Sequence, residues 1–478
     1  MEFWGRQREL ARLRDELEQV RQSGQGKMLS VRGRRQAGKS RLLTELVESA
    51  GVPYLFTTAI RNGALVQQFE QVATDLRSSR HPLPGLDVAF ASEPNSWADL
   101  FARLPLALGD EPAIVVLDEF PWATESDATL EGVLQQAWDR VIERLPVLLV
   151  LVGSDLAMME RLTQHDRALY GRAAEMTVSP LSPADVAEAI PGRRPALDLL
   201  DVFLVTGGYP RLVSAARRHR NAASFVRSEL EDDQSALAVT GSRMLDAEFR
   251  EELRARTVLE AIGSVEVGHA TFSSAVERLG GDDRTTGTAV TRALPILAED
   301  KRVVAIDLPV GAAPTSKLRR YRIVDPYLRF WFRYCAPHLT DMARGRSDLA
   351  IDRFVRDFPS WRGKAIEPVI QEAVSRLSRS DPQLSGLVTV GGWWNRTGDH
   401  EYDLVGAERN GEVTVVGTVE WRARRAVTVE ELSRLSEARS VVPRAGGAKR
   451  AIVCPAGARA GVHPDVLLDA GDVLDAFR

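Results

Sequence analysis

Leucines and a valine recur at helical spacing through residues 7–22, at Leu10, Leu13, Leu17 and Val20, among charged neighbours. That spacing predicts an amphipathic helix. Met28 to Arg32 is a short apolar strand, followed by a glycine loop and a helix from about Lys39 to Ala50. Val52 to Thr57 reads as a second strand. Ala113 to Leu117 is apolar at every position and runs into Asp118-Glu119. A helix at about 130–144 and the strand Val147 to Val152 follow. Strands that are apolar throughout and alternate with helices predict a parallel sheet covered on both faces.

Beyond about Pro183 the period is helical: Ala184 to Ala189, Leu197 to Thr206, Tyr209 to His219 and Ala223 to Ala238 are expected helices. Residues 254–324 change character. Three helices (Thr257 to Gly263, Phe272 to Leu279, about Thr286 to Asp300) precede two strands (Arg302 to Asp307 and Arg319 to Ile323). Three helices and a hairpin outline a winged helix-turn-helix. A helical segment crosses Asp325 to Ala336. The remainder predicts a helix at Lys364 to Ser375, strands at 386–390, 401–405 and 413–420, a helix at 428–438 and a strand at 449–454. The expected fold class is therefore α/β. A parallel-sheet core (1–182), which the loop described below makes a P-loop NTPase, is followed by a helical lid (183–250), a winged helix-turn-helix (251–335) and a further α/β domain (336–478), which the resemblance given below makes endonuclease-like.

Bulk properties change this picture little. The chain has 478 residues and a formal net charge of −4, so no whole-chain basic excess announces a nucleic-acid partner. Cys335 and Cys454 are the only cysteines. They are far apart and lack ligand spacing, which argues against a disulfide framework or a zinc site. The longest apolar run, Pro146 to Gly153, is too short to span a bilayer. The N-terminal residues do not read as a signal peptide. A cytoplasmic protein without a membrane partner is expected.

Chemistry concentrates at Gly33-Arg34-Arg35-Gln36-Ala37-Gly38-Lys39-Ser40, followed by Arg41. This fills the pattern of a phosphate-binding loop, in the strand-to-helix context that confirms one. Its backbone N–H groups and the helix end would cradle ATP phosphates. Lys39 would reach the β/γ-phosphates and Ser40 would ligate Mg²⁺. The apolar strand ending at Asp118 would bring a second metal-holding carboxylate beside the loop, and Glu119 would polarise the attacking water. Ser154 is expected either to contact the γ-phosphate or the water, or to cap the next helix. Arg167 and Arg172 read equally as charge-stabilising arginines, in cis or across subunits, or as surface residues.

Taken together, an ordered set of motifs resembles the archaeal-type ATPases of the signal-transduction (STAND) branch of the AAA+ class. The set comprises Phe3-Trp4-Gly5-Arg6, the loop, Leu117-Asp118-Glu119-Phe120, Gly153-Ser154, Tyr170-Gly171-Arg172 and Gly207-Gly208-Tyr209-Pro210. The resemblance implies an ATP-binding core with a small helical lid. It also implies that Gly5 and Arg6 lie near the adenine and that Pro210 lies near the nucleotide from the lid.

From Tyr321 onward the chain resembles the C-terminal module accompanying these ATPases, which looks like the restriction-endonuclease fold. That resemblance implies carboxylates binding Mg²⁺ and a lysine serving the water. Glu367 and Asp403 match two landmarks, but Thr418 stands where the next carboxylate belongs and Glu420 where the lysine belongs. Glu367, Asp403 and Glu420 remain a candidate second metal site, with nuclease chemistry expected to be lost. For DNA, the expected interface is the basic strip Lys317, Arg319, Arg320 and Arg322, continued by Arg329 and Arg333. The recognition helix itself has few basic residues, Arg284 just before it and Arg292 within it, where a DNA reader normally carries more. The neighbouring aromatics, Tyr327, Phe330, Trp331, Phe332 and Tyr334, read better as interdomain core. The expected function is ATP binding and hydrolysis coupled to conformational change, acting with DNA. A signalling switch with a protein partner or in a homo-oligomer, and an ATP-gated nuclease, are the alternatives.

Overall fold

The computed structural model describes residues 3–250, 252–281 and 284–478, the side chain of Arg284 excepted. The chain divides into two compact units, Met1–Pro180 and Leu181–Arg478.

The first unit is built on strands β1 (Lys27–Arg32), β2 (Tyr54–Thr58), β3 (Ala113–Asp118), β4 (Val147–Gly153) and β5 (Ala173–Thr177). They form one sheet in the order β2-β3-β4-β1-β5, every pair parallel. Every residue of β3 and β4 is buried. Alternate side chains feed two cores, one per face. Val115, Leu117, Leu149 and Leu151 pack into one with Phe69 and Trp97, while Ile114, Val116, Leu148 and Val150 pack into the other with Leu43 and Leu46. This period of two explains why such strands carry no polar face. Between β2 and β3 the structure adds helices Leu65–Ser78, Leu86–Ala89 and Trp97–Leu108. The helix expected at 130–144 ends at Arg140, and a single 3₁₀ turn closes the segment.

The second unit opens with helices Pro183–Ala189, Ala196–Thr206 and Pro210–Ala216. The single helix expected over 223–238 is two, Ala222–Leu230 and Ala236–Glu248. Ser235 interrupts it by capping the second through the Ala238 N–H. This is the local competition by which serine favours helix starts over interiors. Helices Leu253–Ser264, Phe272–Arg278 and Arg284–Pro295 precede an antiparallel pair, β6 (Val304–Asp307) and β7 (Arg320–Ile323).

Helix Pro326–Tyr334 is the hub of this unit. It touches helices Ala196–Thr206, Ala236–Glu248, Leu253–Ser264 and Ser347–Leu377. Tyr327, Phe330, Trp331, Phe332 and Tyr334 are all buried, so these aromatics are core. Three of them press on glycines. A Cβ on Gly207 would stand 2.7 Å from Tyr327, one on Gly241 2.3 Å from Trp331, and one on Gly263 2.6 Å from Phe332. Removing a buried aromatic of this kind costs about 3–5 kcal/mol.

The last part begins with Ser347–Leu377, 31 residues long, in place of the short helix expected from Lys364. It leads into β8 (Thr389–Trp394), β9 (Glu401–Ala407), β10 (Val413–Val419), helix Val429–Val441, β11 (Lys449–Val453) and β12 (Val466–Leu468). These five strands form a mixed sheet in the order β12-β11-β10-β9-β8. The strand expected at 386–390 starts three residues later and includes Trp393 and Trp394. Among the described residues, no helix is long and apolar enough to cross a membrane.

Candidate functional site

The loop after β1 takes its shape from a few residues that only this path admits. A Cβ on Gly33 would meet the Val178 carbonyl at 2.1 Å. That carbonyl is close because the Val178 N–H donates to Arg32 O at 2.7 Å. Gln36 and Gly38 adopt the left-handed region, with φ of 63° and 94°, turning the chain tightly into the helix that begins at Lys39. Lys39 is buried, and its Nζ donates to the carbonyls of Gly33 (2.7 Å) and Arg34 (3.1 Å). Burial pushes its ammonium down to about 8, against the pull of Glu119 and Asp118.

Asp118 ends β3, and its Oδ2 accepts from Ser40 Oγ at 2.6 Å. Its Oδ1 accepts from the Glu119 N–H at 2.9 Å. Glu119 has φ 52° and ψ 41°, an unusual place for a non-glycine residue. That turn directs its carboxylate to Ser154, whose hydroxyl donates to Glu119 Oε2 at 3.0 Å. The next helix is capped by Asp155, which accepts from the Met158 N–H, so the capping alternative for Ser154 is replaced by its neighbour. Gly5 adopts a left-handed φ of 60°. Arg6 is buried and donates to Ala37 O within the loop at 2.7 Å and to Glu9. Arg35 and Arg61 lie over the ring of Trp122, at 5.6 and 5.7 Å from its centroid. Arg41 pairs with Glu45 at 2.9 Å. Neither Trp122 nor Arg61 carries a motif that marks it in sequence.

Arg172 forks onto Asp139 at 2.7 and 2.8 Å, and Arg167 pairs with Glu131. Gly208, Tyr209 and Pro210 belong to the second unit. There the Leu181 N–H donates to Gly208 O at 2.8 Å, Tyr209 donates its hydroxyl to Asp325, and Pro210 opens a helix.

These groups suit a nucleoside triphosphate. Among the described residues, the Lys39 ammonium is hydrogen-bonded by the Gly33 and Arg34 carbonyls, which a phosphate can displace. Ser40 and Asp118 are hard oxygen ligands already in contact, as a small divalent cation requires.

Residues 2–150 match the family model described as AAA ATPase domain, and residues 331–432 match one described as archaea bacterial proteins of unknown function. Residues 2–150 are thus similar to an AAA ATPase domain. An uncharacterized protein of Methanocaldococcus jannaschii is 23% identical over 434 residues, covering 90% of each chain. The Walker-type ATPase of Pyrococcus abyssi shares the fold with a TM-score of 0.51 at 18% identity, over 69% of this chain and 96% of that one. The Aeropyrum pernix ORC2 protein gives 0.43 at 14% identity, over 73% and 95%. The first unit thus has the parallel-sheet core expected of a P-loop fold, and a mixed α/β sheet follows in the second unit.

Two expected sites in the second unit are corrected. The candidate second metal site does not gather its three carboxylates. Among the described residues no group of three or more His, Cys, Asp or Glu side chains converges as metal ligands do. Lys364 stands there instead, 3.0 Å from Glu367, 3.1 Å from Asp403 and 3.5 Å from Glu401. Asp403 Oδ2 accepts from Thr418 Oγ1 and from the Val419 N–H, both at 3.0 Å. Glu420 turns to Arg422 at 2.8 Å. Burial, with Asp403 adding, pushes the Glu367 carboxyl up to about 8. Its neighbouring carboxylates keep Lys364 charged, above its ordinary value. The lysine absent from the strand comes from the helix, three residues before Glu367, a spacing that puts both on one helical face.

The basic strip is also reduced. Arg320 pairs with Glu401 at 2.9 Å and lies 4.2 Å over the Trp394 ring. Arg322 forks onto Asp307 at 2.6 and 2.9 Å. Arg329 is buried and Arg333 pairs with Asp357. Lys317, Arg319 and Arg292 remain exposed. The side chain of Arg284 lies outside the described residues.

Proposed function

We propose that this chain binds ATP with Mg²⁺ at the 33–40 loop, hydrolyses it, and couples the nucleotide state to a conformational change. The observation that carries the reading is the 2.6 Å bond between Ser40 and Asp118. It joins the loop to the carboxylate strand and sets Glu119 one residue further on. Ser40 and Asp118 hold the metal, which neutralises phosphate charge when bound. Lys39 exchanges the Gly33 and Arg34 carbonyls for phosphate oxygens. Glu119 orients the attacking water and accepts its proton. Gly5 and Arg6, braced against Ala37, flank the adenine side, and Pro210 belongs to the lid. Arg172 joins this set by leaving Asp139, which is inexpensive because partly exposed ion pairs are worth about 0–1 kcal/mol.

The partner in this reading is DNA, met by Lys317, Arg319 and Arg292. A second reading, the STAND-type switch with slow turnover and a protein partner or second copy, is favoured by the Ser154–Glu119 bond, which occupies the carboxylate that must meet water. A nuclease finds less support, since the Lys364 ammonium competes for the carboxylates a metal needs. An ATPase assay with and without single- and double-stranded DNA separates these readings. DNA-stimulated turnover supports the first, and negligible turnover with nucleotide retained through purification supports the second. The ATP-hydrolysis reading fails if neither turnover nor retained nucleotide is found.

A further inference from the structure

The second unit contains a cavity of about 190 Å³ that no motif marks. It lies between residues 263–267, helix Pro326–Tyr334 and helix Ser347–Leu377. Its wall carries four cations, Arg329, Arg333, Arg356 and Lys364, against two carboxylates, Glu266 and Asp357. Three of the cations are engaged. Asp357 pairs with Arg333 at 2.6 Å and with Arg356 at 3.1 Å, and Lys364 serves the Glu367 cluster.

Arg329 differs. It is 5% exposed, and its Nη1 donates to the Ala365 carbonyl at 2.9 Å. Its Nε has no hydrogen-bond partner. Among the described residues no carboxylate pairs with it. Burial holds its guanidinium down to about 9. Arg333 Nε and Trp361 Nε1 are likewise buried without partners. Asp325, Asp307 and Glu367 act on this charge from a distance without a direct ion pair, and buried donors left unsatisfied are costly. An anion entering the cavity would satisfy them.

We propose that this cavity binds a phosphate group, presented as inorganic phosphate or as a small phosphate monoester. Guanidinium forks match phosphate oxygens, and three guanidinium groups, Arg329, Arg333 and Arg356, face this cavity against two carboxylates, Glu266 and Asp357. The volume sets the size. Pockets for drug-sized ligands run to roughly 300–1,000 Å³, so the ligand is smaller than a nucleotide. The site lies in the second unit and depends on nothing in the ATPase reading.

Equilibrium dialysis with radiolabelled inorganic phosphate tests it, using full-length Lys39→Ala protein to silence the 33–40 loop. About one phosphate bound per chain is expected. Arg329→Met should weaken it at least about tenfold, and Arg356→Ala, at an exposed position, at least about threefold. Displacement by ribose 5-phosphate identifies a monoester ligand, and resistance to it identifies free phosphate. Binding that disappears with Lys39→Ala alone, or that both arginine variants retain at full strength, overturns the proposal. Displacement by AMP as readily as by ribose 5-phosphate overturns its size limit.

Discussion

Ser154, the first residue after β4, donates its hydroxyl to the carboxylate of Glu119, the first residue after β3, at 3.0 Å. The bond ties the residue proposed to serve the water to a neighbouring strand end. Ser154→Ala should therefore free Glu119 and raise basal ATP turnover several-fold, with KM little changed. A tenfold fall in kcat would instead assign Ser154 to the phosphate or the water.

Glu119→Gln keeps the shape and hydrogen-bonding reach of the side chain while removing its basicity. ATP affinity should stay within about threefold, while kcat falls about 10²–10⁴-fold, the range of a lost general base. Single-turnover hydrolysis beside nucleotide titration measures both. Wild-type hydrolysis in this variant removes Glu119 from the mechanism.

Lys39 gives the site a pH signature. Burial depresses its ammonium to about 8 in the free protein, and bound phosphate pulls it back up. Nucleotide affinity should therefore be full at pH 7 and fall as pH rises through 8, approaching about tenfold per unit. Binding should take up close to no proton at pH 7 and close to one at pH 9. Calorimetry in buffers of different ionisation enthalpy reads this directly, and a flat profile from pH 7 to 9 would contradict it.

Glu367 has the opposite sign of charge and a raised value of about 8. A raised carboxyl supports folding fully below its unfolded value near 4.5, and that support is lost as pH rises towards 8. Glu367→Gln should leave the second unit's stability unchanged near pH 4.5 and add on the order of 1–2 kcal/mol at pH 8. Denaturant titrations at the two pH values check it, and an equal effect at both would remove the buried charge as the cause.

Lys317 and Arg319 are exposed, whereas Arg320 and Arg322 are paired with Glu401 and Asp307. If DNA is the partner, Lys317→Ala and Arg319→Ala should each lower the salt slope of binding by about one. Arg320→Ala and Arg322→Ala should lower stability and leave the slope alone. A slope that falls as much for Arg320→Ala as for Arg319→Ala would show that its pairing opens on DNA.

The parts of this architecture that sequence discloses are those governed by short-range pattern. β3 and β4 are apolar at every position because both faces are buried, and the loop's glycines sit where backbone must approach backbone. The helix Leu65–Ser78, absent from the expected elements, buries Phe69, Val72, Ala73 and Leu76 along one face. Other features depend on distant partners. Pro359 reads as a helix breaker, yet Ser347–Leu377 runs through it, because Phe354, Phe358 and Trp361 pack against Phe330 and Tyr334. Tertiary burial outweighs the roughly 3 kcal/mol that an interior proline costs. The strip 317–322 looks basic because the carboxylates that neutralise it, Asp307 and Glu401, come from elsewhere in the chain. Lys364 is hidden for the same reason: its carboxylates arrive on β9 as well as on its own helix.

The strand order has one more consequence. β1 brings the loop and β3 brings Asp118, but β4 lies between them in the sheet. A nascent chain that has emerged only as far as residue 118 therefore holds both halves of the nucleotide site and has no means of bringing them together. Residues 147–153 must insert first. A ligand held jointly by Ser40 and Asp118 would therefore stabilise only a sheet into which β4 has already inserted.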